Sequence, residues 1–406
     1  MPEIRPFAGI TYRVEQDALA RVLAPPYDVI TPDLQERLYA RDPRNIVRVV
    51  LSRAGGEGAY AEAGAAWRSW LEQGVLAPDP VPALYVLEQE FTLDGAVRRR
   101  RGVLARFRAE DPGGSILPHE QTRKAPREDR YRLLQATRAN FSPIFLMAGD
   151  PGGALAAALA ADARAAAALE YADDAGVAHR MWRVTDAAGV TRYQDALGRA
   201  RAYIADGHHR YATALRWRDE TGPEGAWTLG YFTPLDDPGL VVQPYHRVLA
   251  RGPALDEARE ALGAIFLLSD ARGLEEAARA AAHSTMPYAF ALADASGRAL
   301  IAEALPEAED LLPRSAPPAL AALDTFFAQE ALLPGLLKVP AEAVAFVHSL
   351  EHAREALASG ASLALLLRPT TVRQIVDVSD AGLSMPAKST FFHPKLPSGL
   401  VIHPLP

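Results

Sequence analysis

Apolar positions along this chain recur with two different periods, and each period marks a different kind of element. Tyr60, Trp67, Trp70 and Leu71 fall at helical spacing over residues 58–73, and Pro32 after Thr31 marks the first turn of a helix over 32–41. Residues 84–93 and 97–108 are strand-like runs flanking Asp94-Gly95, a turn pair that predicts a β-hairpin. The second run carries Arg98 to Arg101, which reads as the solvated edge of a hairpin facing water. A polar loop leads into a helix over 128–139, a strand resumes over 142–146, and the alanine-rich stretch 149–169 predicts a further helix.

A short strand over 180–184, a strand-to-helix junction near residue 207, and strands over 227–232 and 240–243 follow. The pattern breaks at 250–253. Beyond it, helices over 256–263, 319–332 and 351–358 alternate with strands over 287–292, 299–304, 344–348 and 363–367. This alternation predicts a mixed α/β fold in two parts, residues 1–250 and a C-terminal α/β domain over 251–406 whose turn-rich tail begins near Met385. At 406 residues the chain is long enough to bury two full cores.

Composition narrows the chemistry. There is no cysteine, which removes disulfides, thiolate metal sites and cysteine nucleophiles. The N-terminus lacks the apolar stretch of a signal peptide and no apolar run reaches membrane-spanning length, so a cytoplasmic protein is expected. The formal charge of -7 does not favour nonspecific attraction to nucleic acid or to an anionic membrane. Positive charge is carried almost wholly by arginine, the lysines being Lys124, Lys338, Lys388 and Lys395.

Against that background, Ile204 to Leu215 is distinctive. Asp206-Gly207-His208-His209-Arg210 places an acid, a glycine, two imidazoles and a guanidinium where a strand pattern gives way to a helix pattern. Glycine permits the sharp reversal, and the opening turn of a helix offers unpaired N–H groups to an anion such as phosphate. Capping alone would need only Asp206. A planar guanidinium such as that of Arg210 can bind two phosphate oxygens at once.

A second cluster lies in the loop after Leu117. His119 and Glu120, followed by Thr122, Arg123 and Lys124, suit phosphoryl chemistry, with Glu120 as the candidate base and the cations offsetting charge on transferring oxygens; a solvated charged loop is the competing explanation. Lys388, Ser389, Thr390 and Lys395 are candidates for a second anion cradle or for plain turn chemistry. Tyr27 and Asp28, stiffened by two preceding prolines, and Asn140 are further candidates for ligand contact. His348 and His352, four residues apart, straddle a strand end and a helix start and read as surface residues rather than a metal pair. Walker, dinucleotide-glycine and kinase-loop signatures are absent.

Pro25 to Ile30, Leu117 to Glu120 with Thr122 and Lys124, Asn140 to Phe145, Asp206 to Arg210 and Met385 to Val401 together resemble the bacterial and archaeal family known as domain of unknown function 1015. The stretch Ile204 to Ala214 is also similar to a nucleotide-contacting box of the ParB and sulfiredoxin superfamily, whose free serine kinases carry an Asp-Gly-His-His-Arg version. That resemblance implies a ParB-like nucleotide-binding core with insertions. It also implies phosphate contact at Gly207, His208, His209 and Arg210, with Asp206 holding Mg²⁺ or orienting an imidazole.

The resulting expectation is a nucleotide- and Mg-dependent phosphotransferase, taking ATP or ADP and a small hydroxyl metabolite such as serine, or running the reverse or hydrolytic reaction. A non-catalytic nucleotide-binding switch and a metal-dependent hydrolase using His119, His208, His209 and Asp206 are the alternatives. No DNA-reading helix with a basic stripe accompanies the box, so a nucleic-acid partner is not expected. Oligomeric state is not legible in these residues.

Overall fold

The computed structural model describes residues 1–406. Its secondary structure is mixed α/β, and the chain divides into two compact units. The first unit comprises residues Met1–Val241 together with Pro394–Pro406, and the second comprises Val242–His393. Residues 242–250 thus lie with the second unit and the last thirteen residues with the first. No helix is long and apolar enough to cross a membrane.

A nine-stranded mixed sheet organises the first unit. Its order is Ile116–Leu117, Ala202–Asp206, Ile144–Ala148, Trp227–Pro234, Ala96–Arg108, Leu84–Leu93, Ala178–Val184 and Leu169–Ala172, with Ile4–Arg5 added beside the far end of Ala96–Arg108. The strands Ile116–Leu117 and Ala202–Asp206 run parallel, as do Ile144–Ala148 and Trp227–Pro234; the other pairings are antiparallel. Leu84, Val86, Val103, Phe107, Ile144, Leu146, Ile204 and Phe232 project into one core, which Leu155, Leu159, Tyr193 and Leu197 cover from two helices, Ala154–Asp162 and Ala187–Leu197.

The hairpin forms at Asp94-Gly95, both with positive φ as a tight two-residue turn requires. The arginine run is not an edge. Ala96–Arg108 is hydrogen-bonded on both sides, to Leu84–Leu93 and to Trp227–Pro234. Arg98 and Arg99 reach solvent, Arg101 pairs with Glu88 at 2.6 Å, and Arg100 is fully buried. Strand alternation and a third strand overrode the charge-based reading.

The alanine-rich helix also came out shorter than its composition suggested. It spans Ala154–Asp162, opened by Gly153 in the left-handed region, with the Asp150 carboxylate accepting from the backbone N–H of Leu155 and Ala156. Beyond it, Trp182 Nε1 donates to the Ala165 carbonyl and Ala168 N–H donates to the Met181 carbonyl. Those cross-chain bonds draw residues 165–168 alongside a strand against their helical propensity.

The second unit is a six-stranded, wholly antiparallel sheet in the order Phe266–Ala271, Ala299–Ala304, Ala289–Ala293, Leu363–Leu367, His246–Leu249 and Val344–Val347. Apolar clusters lie on both faces. Leu255, Ala258, Leu262, Phe327 and Leu332 cover one and Leu274, Ala277, Ala281, Ala353 and Leu357 the other. Burial of both faces explains the uninterrupted apolar run Leu363–Leu367. The single helix expected over 319–332 is instead three short turns, Pro318–Ala321, Asp324–Phe327 and a wide-turn segment Ala328–Leu336 that contains Pro334.

Candidate active site

The strand Ala202–Asp206 passes through Gly207 into the helix His208–Thr221. Gly207 has φ +96°, and a Cβ built there would lie 3.0 Å from Arg210 Cζ. The position therefore needs glycine twice, for its backbone and for the guanidinium folded over it. No side chain caps this helix N-terminus, so its first N–H groups and the positive end of its dipole face the turn.

Two cations meet at Asp206. Arg210 Nη2 donates to Oδ2 at 2.5 Å and Lys395 Nζ donates to Oδ1 at 2.6 Å, while Arg210 Nη1 donates to the Pro143 carbonyl. Burial alone would raise the Asp206 carboxyl; Lys395 first and Arg210 second outweigh it and hold the group well below the usual carboxylate range. Two positive charges against one leave a surplus of one positive charge at an uncapped helix start, which is the electrostatic requirement of an oxyanion site.

Lys395 reaches Asp206 because its backbone is gripped. The buried Arg100 donates from Nη2 to the Pro394 carbonyl at 2.5 Å and also to Gln89 Oε1, and Gln89 Nε2 donates to the Lys395 carbonyl at 3.0 Å. Arg100 also lies over the Phe145 ring, 4.5 Å from its centroid. Arg100 and Gln89 are directly opposed in the hairpin register, and neither was among the candidate residues read from the sequence.

The two histidines of the box act on the loop that precedes the helix Lys124–Thr137. His208 Nε2 accepts the His119 backbone N–H at 3.3 Å, and His209 Nε2 accepts that of Arg123 at 3.1 Å. A neutral ring accepting at Nε2 carries its proton on Nδ1. In His208 that atom lies 3.8 Å from Glu120 Oε2. The His119 and His208 rings pack edge to face at 4.6 Å. The imidazoles thereby fasten the loop bearing Glu120 to the opening turn of the box helix. Glu120 stays partly exposed, Thr122 is half-buried, and Lys124 is exposed and makes no ion pair.

Tyr27, Arg210, Asn140 and Ser142 border a cavity of about 60 Å³ beside the box. Tyr27 stacks on the Arg130 guanidinium at 3.9 Å, and burial pushes its hydroxyl up to about 12. Asp28 lies close enough to His209 for its charge to oppose the depression that burial imposes on that imidazole. Asn140 is committed to the sheet, its Oδ1 accepting from Leu229 N–H at 3.2 Å and from Thr228 Oγ1 at 3.3 Å.

Lys388, Ser389 and Thr390 belong to the second unit. Lys388 Nζ lies 3.4 Å from Tyr245 Oη, and the buried Ser389 hydroxyl donates to the Pro386 carbonyl at 2.7 Å and lies 3.1 Å from Thr325 Oγ1. Those bonds occupy the Ser389 hydroxyl within its own fold. His348 stacks on Phe391 at 4.3 Å, and His352 Nδ1 shares a hydrogen bond with the Ser349 hydroxyl.

The donor set does not fit a metal held by Asp206. Each of its oxygens already carries a cation, and no group of three or more acidic or imidazole side chains converges anywhere in the chain. No chemical step is therefore routed through Mg²⁺.

Buried neutral imidazoles make the first unit acid-sensitive. Burial drives His119 down to about 4 and His403 to about 3, and His208 falls well below its usual value by burial and then by the neighbouring His119. The unfolded chain binds protons on these rings from about pH 6.5 downward while the folded chain does not. Their contribution is thus complete above that pH and lost as pH falls toward about 4, at up to about 1.4 kcal/mol per pH unit per ring. Urea midpoints should drop between about pH 7.5 and pH 5; an unchanged midpoint would contradict neutral burial.

The family model described as "Protein of unknown function (DUF1015)" matches residues 4–326. No curated protein matches the chain by sequence. Among solved structures, a point mutant of free serine kinase in complex with ADP is 13% identical with a TM-score of 0.37, the alignment covering 72% of this chain and 87% of that one. A conserved hypothetical protein from Pyrococcus furiosus is 15% identical, with a TM-score of 0.36, and coverage of 74% and 95%. SbnI with a C-terminal truncation, from Staphylococcus aureus, is 11% identical, with a TM-score of 0.37, and coverage of 73% and 86%.

Proposed function

We propose, for a chain that belongs to the DUF1015 family, that the Asp206–Arg210 corner binds the phosphates of a nucleotide and that the protein moves a phosphoryl group between that nucleotide and the hydroxyl of a small metabolite. The observation that carries this reading is the convergence of Lys395 and Arg210 on one buried carboxylate at an uncapped helix N-terminus. Asp206 holds two long cationic side chains in place before a ligand arrives, so less of their freedom is lost on binding.

Glu120 supplies the base. The substrate hydroxyl gives its proton to the Glu120 carboxylate as its oxygen bonds to phosphorus, and the bond from phosphorus to the nucleotide's bridging oxygen breaks with the electron pair leaving on that oxygen. Arg210, Lys395 and the helix amides offset charge on the oxygens that do not transfer. The His208 and His209 bonds to the loop fix where Glu120 stands, which a base on a free loop would lack.

The test is a transfer assay with ATP or ADP against a panel of hydroxyl amino acids and sugars, beside calorimetry of nucleotide binding. Arg210→Ala should weaken nucleotide binding by about 1.5–3 kcal/mol, as loss of a charge-assisted pair does. Unchanged affinity would remove Arg210 from the site. Nucleotide binding without transfer would instead support a switch.

A further inference from the structure

A second polar cavity lies elsewhere in the first unit, of about 300 Å³, and shares no lining residue with the one beside Arg210. Thr11, Arg13, Glu15, Gln16 and Arg183 are among the residues that line it. Behind the two arginines sits Asp79, whose side chain is 1% exposed. Arg183 Nη2 donates to its Oδ1 at 3.0 Å and Arg13 Nη2 to the same oxygen at 3.3 Å, while the Tyr85 hydroxyl donates to Oδ2 at 3.0 Å.

One guanidinium would have sufficed for Asp79, since its other oxygen already has a donor. The arginines are each more than a third exposed, and all their hydrogen bonds run through Nη2, including those from Arg13 to the carbonyls of Pro78 and Ala77. Their Nε and Nη1 groups remain open, and each guanidinium presents donors in the planar fork that matches a carboxylate.

We propose that this cavity is a binding site for a small carboxylate bearing an α-amino or α-hydroxyl group. The carboxylate sits against Arg13 and Arg183. Glu15 on the lining receives the amino or hydroxyl group and opposes a dianion, which selects against phosphate. The site stands independently of the proposed phosphotransfer and would remain if that reading failed.

Full-length protein, free of nucleotide, should be titrated calorimetrically with each proteinogenic α-amino acid, glycolate, lactate and inorganic phosphate. The expected result is one-to-one binding of at least one amino or hydroxy acid, weakened roughly tenfold or more by Arg183→Gln. Arg13→Gln, at a side chain 39% exposed, should leave the fold intact yet weaken the same ligand several-fold. Arg210→Ala should leave this binding unchanged. Binding of phosphate alone, loss of binding in Arg210→Ala, no binding by any probe, or affinity untouched by both Arg183→Gln and Arg13→Gln would each overturn the assignment.

Discussion

Glu120→Gln should slow phosphoryl transfer by about 10²–10⁴-fold, the share that a positioned base contributes, while nucleotide affinity stays as it was. The amide keeps the size of the side chain but cannot take the hydroxyl proton. Single-turnover rates set beside calorimetric affinity separate the two effects. Because the backbone N–H groups of His119 and Arg123, on either side of Glu120, are held by His208 and His209, the path of the loop should survive the substitution. Full activity in this variant would remove Glu120 as the base, and a parallel loss of affinity would make it a binding group instead.

The second large effect is expected at a residue remote from the reacting atoms. Arg100→Met should cost about 1–3 kcal/mol of folding stability, the usual penalty for leaving buried hydrogen-bonding groups without their partner. Gln89 Oε1 and the Pro394 carbonyl are left buried without that donor. It should also weaken nucleotide binding, since the Pro394–Lys395 backbone loses one of the two side chains that grip it. Lys395→Met separates the effects, giving the loss of affinity while Gln89 Oε1 and the Pro394 carbonyl keep their Arg100 donor. If Arg100→Met unfolds at a lower denaturant concentration but binds nucleotide with native affinity, Arg100 is structural only.

What the sequence disclosed followed from local physics. Asp94-Gly95 gave away the hairpin, Thr31-Pro32 the start of the helix Pro32–Arg41, and short apolar runs the strands Ala299–Ala304 and Leu363–Leu367. The Asp-Gly-His-His-Arg box fell at a strand-to-helix turn as its composition required. Elsewhere, long-range partners decided the outcome. Residues 165–168 left the helix because Met181 and Trp182 offered hydrogen bonds, which no window of neighbouring residues contains.

The site followed the same division. Gly207 and Arg210 were legible as a pair because both lie in one turn. Lys395 stood out by the scarcity of lysine, but its bond to Asp206 spans 189 positions and no periodicity reports it. The role of Arg100 was concealed by the run of four arginines. A signal was nevertheless present. The hairpin turn sets a register that opposes Glu88, Gln89 and Glu90 to Arg101, Arg100 and Arg99, and the neutral Gln89 sets Arg100 apart from its two neighbours, which face carboxylates.

The first unit is assembled from two stretches of chain, with the whole of the second unit encoded between them. During synthesis, the ribosome must therefore deliver residues 242–393 before the lysine bonded to Asp206 can leave the exit tunnel. A nascent chain halted anywhere short of Lys395 would present Asp206 and Arg210 as a neutral pair, without the surplus charge that attracts phosphate. Nucleotide capture would then begin only after translation has passed that residue, so half-made chains would not compete with finished ones for the ligand.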